Sequence, residues 1–176
     1  MMFYNCSALL TIPSFTSTMT LEGTSIFYQM FQNCTSLTQL TEPLFSEDVS
    51  LAKACFQDMF AHCTNLSVVP DAFLPATALA EDCYRGMFQH TALVRAPFLL
   101  VETLSWANCY RYMFYGCKSL SYIKCLASNP SSTYTQNFTG GGVAASGVFI
   151  RNENANWPVG VNGIPNGWTV KIASEE

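Results

Sequence analysis

One short phrase recurs five times in residues 1–125, and this repetition constrains the fold more than any other feature of the chain. The phrase reads "MFQNCTSLTQL" at residues 30–40, and each copy begins with a Met-Phe pair. The phenylalanines of these pairs are Phe3, Phe31, Phe60, Phe88 and Phe114, in steps of 28, 29, 28 and 26 residues. A fixed period in the twenties is typical of stacked structural repeats. A catalytic motif is needed once, so the repetition indicates a building unit.

The segment before each Met-Phe pair is predicted to be a helix. In residues 51–60 and 79–88 apolar residues recur at i, i+1, i+4, i+5, i+8 and i+9, which forms one broad apolar stripe on a helix. Residues 26–31 and 109–114 preserve the second half of this pattern. Two positions after each phenylalanine stands a residue that tolerates the left-handed backbone region, and we interpret this column as the helix stop. Its members are Asn5, Asn33, His62, His90 and Gly116.

A leucine and a later apolar residue follow the helix stop and indicate a short strand, paired in parallel with its equivalents. The predicted fold class is therefore α/β: a right-handed, leucine-rich-repeat-like solenoid with helix, turn and short parallel strand in each repeat of about 28 residues, and a C-terminal β cap. We predict about five repeats in residues 1–127, with a truncated N-terminus, and the cap in residues 128–176. Strands are expected at 147–152 and 167–172, with two tryptophans covering the last layer.

The composition excludes two classes of partner. Apolar residues make up 49% of the 176 residues, charged residues make up 11%, and the net charge is −4. The few lysines and arginines are scattered, so the clustered positive charge that nucleic acids require is absent from the sequence. No apolar run approaches the ~20 residues of a membrane-spanning helix. We therefore expect neither a nucleic-acid-binding nor a membrane-spanning protein.

The eight cysteines fall mainly in two columns of the repeat. One column holds Cys55, Cys83 and Cys109, and the other holds Cys6, Cys34, Cys63 and Cys117. Isoleucine replaces cysteine in one unit of the first column, which favours buried free thiols over bridges. One or two disulfides remain the alternative, with Cys125 and Cys117 as the first candidates. No cysteine or histidine spacing matches a zinc site, and we predict no metal or cofactor.

Catalysis finds little support in the sequence. A cysteine hydrolase needs a histidine held beside its thiol, and the only histidines, His62 and His90, both lie in the helix-stop column. We predict no catalytic residue and no enzyme activity, and a thiol enzyme remains the hypothesis to be tested by thiol labelling.

The repeat resembles a known family. The segments "CYRGMFQH", "MFQNCTSLTQL" and "CYRYMFYGCKSLSYIKCLA" are similar to the BspA-like leucine-rich repeats of bacterial surface proteins, over roughly residues 1–125. "NGIPNGWTV" at 162–170 also resembles the tail that often follows such arrays. The resemblance implies a secreted or surface-anchored, non-enzymatic protein that binds other macromolecules. The chain departs from the family in its shortened fourth unit.

A binding face is predicted where equivalent strand residues form a column. If each strand alternates strictly, one of the two residues after the leucine points outward. We predict the second, which gives the candidate partner-binding residues Thr11, Gln39, Val68, Arg95 and Tyr122. The leading hypothesis is an extracellular or cell-surface adhesion module that binds a protein or glycan, as a monomer or as part of a larger chain. The alternative is a structural spacer or appendage module of a larger surface protein or phage particle.

Overall fold

A computed structural model describes residues 2–12, 23–45, 50–74 and 76–175. Residues 13–22 and 46–49, which belong to the first two predicted repeats, lie outside these ranges. The elements are β1 (Tyr122–Cys125), α1 (Ser132–Thr135), β2 (Val148–Arg151), β3 (Thr169–Ile172) and a 3-10 helix (Ala173–Glu175). The strands form one parallel sheet in the order β1-β2-β3, with Tyr122 opposite Val148 and Val148 opposite Thr169.

The predicted solenoid of helix and strand repeats is wrong. In the described part of the chain the one α-helix is the four-residue α1, which lies outside all of the segments predicted to be helical. Residues 51–60 and 79–88 contain turns, as do residues 26–31 and 109–114. Most of the described chain consists of turns and loops around the small three-stranded sheet.

Alternating hydrogen bonds explain why these segments are not helices. In residues 56–62 every second amide donates to the following unit: the Phe56 amide donates to the Cys83 carbonyl at 3.0 Å, and the Phe60 amide to the Met87 carbonyl at 3.0 Å. The amides between them close tight turns, as when the Met59 amide donates to the Phe56 carbonyl at 3.2 Å. A helix would instead direct every amide to the carbonyl four residues earlier in its own segment.

A left-handed residue recurs every fourth position along each of these segments. Each segment has three such residues, at positions equivalent to those in the other units, and their φ angles lie between 53° and 70°. In the four segments they are Ser25, Gln29 and Asn33; Ala54, Asp58 and His62; Asp82, Gly86 and His90; and Asn108, Tyr112 and Gly116. The predicted helix-stop column is therefore left-handed as expected, although no helix ends there. Isolated left-handed residues interrupt a right-handed helix, so a run of turns forms instead.

Aromatic side chains of successive units stack on one another in the core. Phe60 is fully buried, and its ring lies parallel to those of Phe31 and Phe88, with centroids 5.5 and 5.7 Å away. A second row contains Phe27, Phe56, Tyr84 and Tyr110, with neighbouring centroids 5.4 to 6.4 Å apart. The leucines that follow are fully buried as well: Leu37, Leu66, Leu93 and Leu120. Units of the repeat therefore pack against each other in sequence order, through the positions that recur in the sequence.

The parallel pairing predicted after each leucine is reduced to single bridges in most units. Gln39 pairs with Val68 and Arg95 pairs with Tyr122, and a continuous strand begins only at β1. The strands predicted at 147–152 and 167–172 are present as β2 and β3. The Trp157 ring lies 5.7 Å from the ring of Phe138, and its indole N–H donates to the Ala127 carbonyl at 3.1 Å. Trp157 and Trp168 are both buried.

Candidate functional site

The five residues predicted to bind a partner lie at the surface, and four of them form a line of parallel bridges, Gln39 with Val68 and Arg95 with Tyr122. Thr11, Gln39, Val68 and Arg95 are exposed, and Tyr122 is half-buried. Amides on either side hold the line together: that of Leu40 donates to the Val68 carbonyl at 2.9 Å, and that of Ala96 donates to the Tyr122 carbonyl at 3.0 Å. We call these five residues and their exposed neighbours Leu10, Thr38 and Val94 the outer face.

The strict alternation expected after each leucine fails in two units, although β1 itself alternates between half-buried and buried residues. Val94 and Arg95 are both exposed, as are Thr38 and Gln39. A bridge of one residue pair does not impose the side-to-side alternation of an extended strand, so two successive side chains face solvent. The outer face is therefore two residues wide. Its apolar members are Leu10, Val68 and Val94, which are 67%, 54% and 50% exposed.

Arg95 is the centre of a polar and aromatic cluster on the outer face. Its Nε donates to Asp71 Oδ1 at 2.8 Å, and its guanidinium carbon lies 3.5 Å from the centre of the Tyr122 ring. Phe98 belongs to the same cluster: the Arg95 guanidinium carbon and the Lys124 ammonium nitrogen are 5.4 and 5.0 Å from its ring centre. We call Asp71, Arg95, Phe98, Tyr122 and Lys124 the Arg95 cluster.

The Arg95 cluster fixes side chains more than it stabilises the fold. The ion pair with Asp71 is exposed, and such pairs contribute about 0–1 kcal/mol. A cation over an exposed aromatic ring adds about 0.5–1 kcal/mol. The Phe98 amide donates to the Asp71 carbonyl at 2.9 Å, which ties the two loops of the cluster together. The result is a surface Arg and Tyr in defined positions.

The groove next to Thr11 and Gln39 is too small for most ligands. Its volume is about 90 Å³, and its walls include Leu10, Thr38 and Leu44. Small-molecule sites usually enclose roughly 300–1,000 Å³. In the described ranges no group of three or more His, Cys, Asp or Glu residues is placed to hold a metal ion.

The two histidines stack on each other. Their rings are 4.6 Å apart and nearly parallel, and His90 also meets the edge of the Tyr115 ring. Partial burial, followed by the charges of His62 and Lys118, lowers the pKa of His90 below its ordinary value. Cys63, next to His62 in sequence, is buried and donates its thiol hydrogen to the Phe31 carbonyl at 3.1 Å. The His-Cys neighbours thus form no nucleophile and base pair.

All eight cysteines are free thiols in the structure, including Cys117 and Cys125, for which a bridge was the alternative. Seven of them are buried and Cys6 is half-buried. Burial raises the pKa of Cys63 and Cys125 to about 12 and that of Cys117 to about 11. Since the thiolate is the reactive form, we expect these cysteines to be unreactive near neutral pH.

The fourth repeat contains a substitute for its missing cysteine. The Thr91 amide donates to the Phe88 carbonyl at 3.3 Å, as the Cys63 amide donates to the Phe60 carbonyl at 3.1 Å, so threonine occupies the cysteine position. The Thr91 hydroxyl donates to the Phe88 carbonyl at 2.9 Å and lies 3.4 Å from the Cys117 sulfur. The shortening of the fourth unit therefore falls after this position, and threonine stands where four other units have cysteine.

Thiol labelling tests the inert role of the cysteines. We expect native protein at neutral pH to react quickly at Cys6 alone, because the other seven thiols are buried. Unfolding in denaturant should then expose all eight to an aromatic disulfide reagent. In the Cys6→Ser variant, the fast phase of the labelling reaction should disappear, and the slow labelling of the buried thiols should remain. A buried cysteine that reacted faster than a free thiol would contradict this assignment and support a thiol enzyme.

Comparisons with known proteins give no match: no family model, no curated protein and no solved structure is similar to this chain. Within the described ranges, no helix has the length and apolar character needed to cross a lipid bilayer.

Proposed function

We propose that this chain is a non-enzymatic recognition module that binds a protein partner through the outer face, outside the cell or at its surface. The observation that carries the proposal is the Arg95 cluster, in which Asp71 and Tyr122 hold an exposed guanidinium on a face that also exposes apolar Val68 and Val94. Arginine and tyrosine are enriched among the residues that dominate protein interfaces, and apolar neighbours exclude water around them.

The shape and chemistry of the outer face also favour a protein partner. The face is long, two residues wide and open, and the groove at its end is small. The contacts within the Arg95 cluster restrict its side chains before binding, which reduces the entropy lost on association. The proposal of a surface location comes from the resemblance to BspA-like repeats, and burial of seven thiols would protect them from oxidation there.

A paired capture experiment tests this function. Immobilised wild-type protein and the Arg95→Ala/Tyr122→Ala double variant would be exposed to extracts of host-surface and extracellular-matrix proteins. We expect a partner whose affinity for the double variant is lower by about 30-fold or more, since a single interface hot spot contributes at least about 2 kcal/mol.

The matched control is the Lys53→Ala/Glu81→Ala variant, which removes an exposed ion pair of 2.7 Å in the turn segments. It should retain the partner with unchanged affinity. Equal binding by the wild type and the Arg95 and Tyr122 variant would contradict the proposed face. If no partner is captured and the chain is found only as an ordered part of a larger assembly, the spacer function replaces the recognition function.

A further inference from the structure

A single exposed tryptophan distinguishes another part of the surface. Trp106 is 55% exposed, whereas Trp157 and Trp168 are 4% and 7% exposed. Tryptophan is highly buried on average, so such an exposed indole is unusual. It borders a groove of about 420 Å³ between the loop at 77–79 and the loop at 100–106, and we call this the Trp106 groove. Its size lies within the range of ligand sites.

The lining of the Trp106 groove combines an aromatic surface with hydrogen-bonding groups. Leu100 and Trp106 form the exposed apolar part, and Glu102, Thr103 and Ser105 supply a carboxylate and two hydroxyls. Glu102 takes part in none of the ion pairs among the described residues. The lining contains no lysine, arginine or histidine, so the groove offers no positive charge to an anionic ligand.

Hydrogen bonds from the next unit hold the loop that carries these groups. The Ser128 amide and hydroxyl both donate to the Glu102 carbonyl, at 2.8 and 2.9 Å. The side-chain amide of Asn129 donates to the Leu104 carbonyl and accepts from the Leu104 amide, each at 2.8 Å. Buried Leu104 anchors the loop in the core. These bonds fix one wall of the groove, the loop at 100–106, before a ligand binds, which reduces the cost of ordering that wall.

We propose that the Trp106 groove binds a neutral oligosaccharide. A pyranose ring has one face of C–H groups and a rim of hydroxyls, so its apolar face fits the indole of Trp106 while its hydroxyls donate to the Glu102 carboxylate. An anionic glycan or a nucleic acid would meet a negative carboxylate without a compensating cation. A purely apolar ligand would leave the carboxylate and the hydroxyls without partners. This site is separate from the outer face and does not depend on the protein partner proposed there.

Titration with neutral hexasaccharides tests the proposal. The probes are chitohexaose, mannohexaose and cellohexaose, with an acidic galacturonate hexasaccharide as the charge control. We expect at least one neutral probe to shift the tryptophan fluorescence saturably, because Trp106 is the exposed indole. Calorimetry should then show that Trp106→Ala weakens the affinity by about tenfold or more, a loss of about 1.4 kcal/mol. Glu102→Gln should weaken it less, since the amide oxygen still accepts a hydrogen bond.

Two controls separate this site from other effects. Arg95→Ala, on the outer face, should bind the neutral probe with the wild-type affinity. The thermal midpoint of Trp106→Ala should match that of the wild type, because the side chain is exposed. The proposal is overturned if no neutral probe binds, if Trp106→Ala retains the affinity within about twofold, or if the acidic probe binds more tightly than the neutral ones.

Discussion

Replacing Phe60 with alanine is expected to lower the free energy of unfolding by about 3–5 kcal/mol. The ring is fully buried and stacks between Phe31 and Phe88, and the Phe73 ring packs against it edge to face with the two centroids 5.9 Å apart. Its removal leaves a cavity between three units, and the backbone bonds on both sides prevent those units from closing together. Urea unfolding, followed by circular dichroism and by tyrosine fluorescence, measures the change.

Val68→Ala is the control for this loss. Val68 is an apolar residue of a neighbouring segment, but its side chain is 54% exposed. Its truncation should change the free energy of unfolding by less than about 0.5 kcal/mol. A Phe60→Ala variant as stable as Val68→Ala would show that the aromatic row is not part of the core.

Gly147→Ala is the second substitution with a large expected effect, a loss of about 3 kcal/mol. A β-carbon on Gly147 would overlap the Ser121 carbonyl oxygen and come within 2.8 Å of the Trp168 ring. Neither neighbour can move cheaply: the Ser121 carbonyl accepts from the Val148 amide at 2.9 Å, and the Trp168 indole N–H donates to the Ala144 carbonyl at 2.8 Å. The substitution therefore separates β2 from the unit before it.

Gly142→Ala provides a comparison without a steric clash. Gly142 has a φ of +91° and no atom within 4 Å of the position that a β-carbon would take. Its replacement should cost only the backbone strain of a positive φ, about 1–2 kcal/mol. Thermal and urea unfolding of the two variants should differ accordingly. Equal losses would contradict the close approach at Gly147.

The period of the repeat and the buried positions could be predicted from the sequence. Met59, Phe60 and Leu66 recur at fixed spacings in other units, and all three are fully buried. Large apolar residues that recur at the same position of each unit share the same buried environment, and this inference does not depend on the local backbone conformation. The same alignment of units also predicted the surface column that contains Arg95 and Tyr122.

The local backbone could not be predicted, because two conformations share one pattern. Apolar residues at i, i+1, i+4 and i+5 fit a helix with 3.6 residues per turn, but their true period is four. Four is also the spacing of the left-handed residues in these turns, such as Ala54, Asp58 and His62. A run of turns with two inward residues per period therefore has the apolar pattern of an amphipathic helix. The deciding hydrogen bonds join different units, and no local pattern records them.

The left-handed positions show how far residue type can guide such a prediction. Asn33 and Gly116 indicated a left-handed column, and both have positive φ. Gln29 and Tyr112 adopt the same conformation, although these residue types do not favour it. At those positions the backbone bonds to neighbouring units, such as that from the Tyr112 amide to the Gln136 carbonyl at 3.0 Å, impose the conformation. Tertiary contacts override the local preference there.

The partners of Arg95 could not be read from the sequence either. Asp71 lies 24 residues earlier in the chain and meets Arg95 only because the loops of adjacent units run side by side. Val94 was placed inside by the assumption of strict alternation, which single-residue bridges do not enforce. The sequence therefore located the outer face but not its width or its charged cluster.

Hydrogen-bond scalar couplings measured by NMR test the central claim most directly, since they identify the carbonyl that accepts from each amide. The structure predicts a coupling from the Phe60 amide to the Met87 carbonyl, and likewise from Phe88 to Met113. Couplings from Phe60 to the Phe56 carbonyl and from Phe88 to the Tyr84 carbonyl would instead indicate helices. That result would contradict the stacked turns on which the outer face and the Trp106 groove depend.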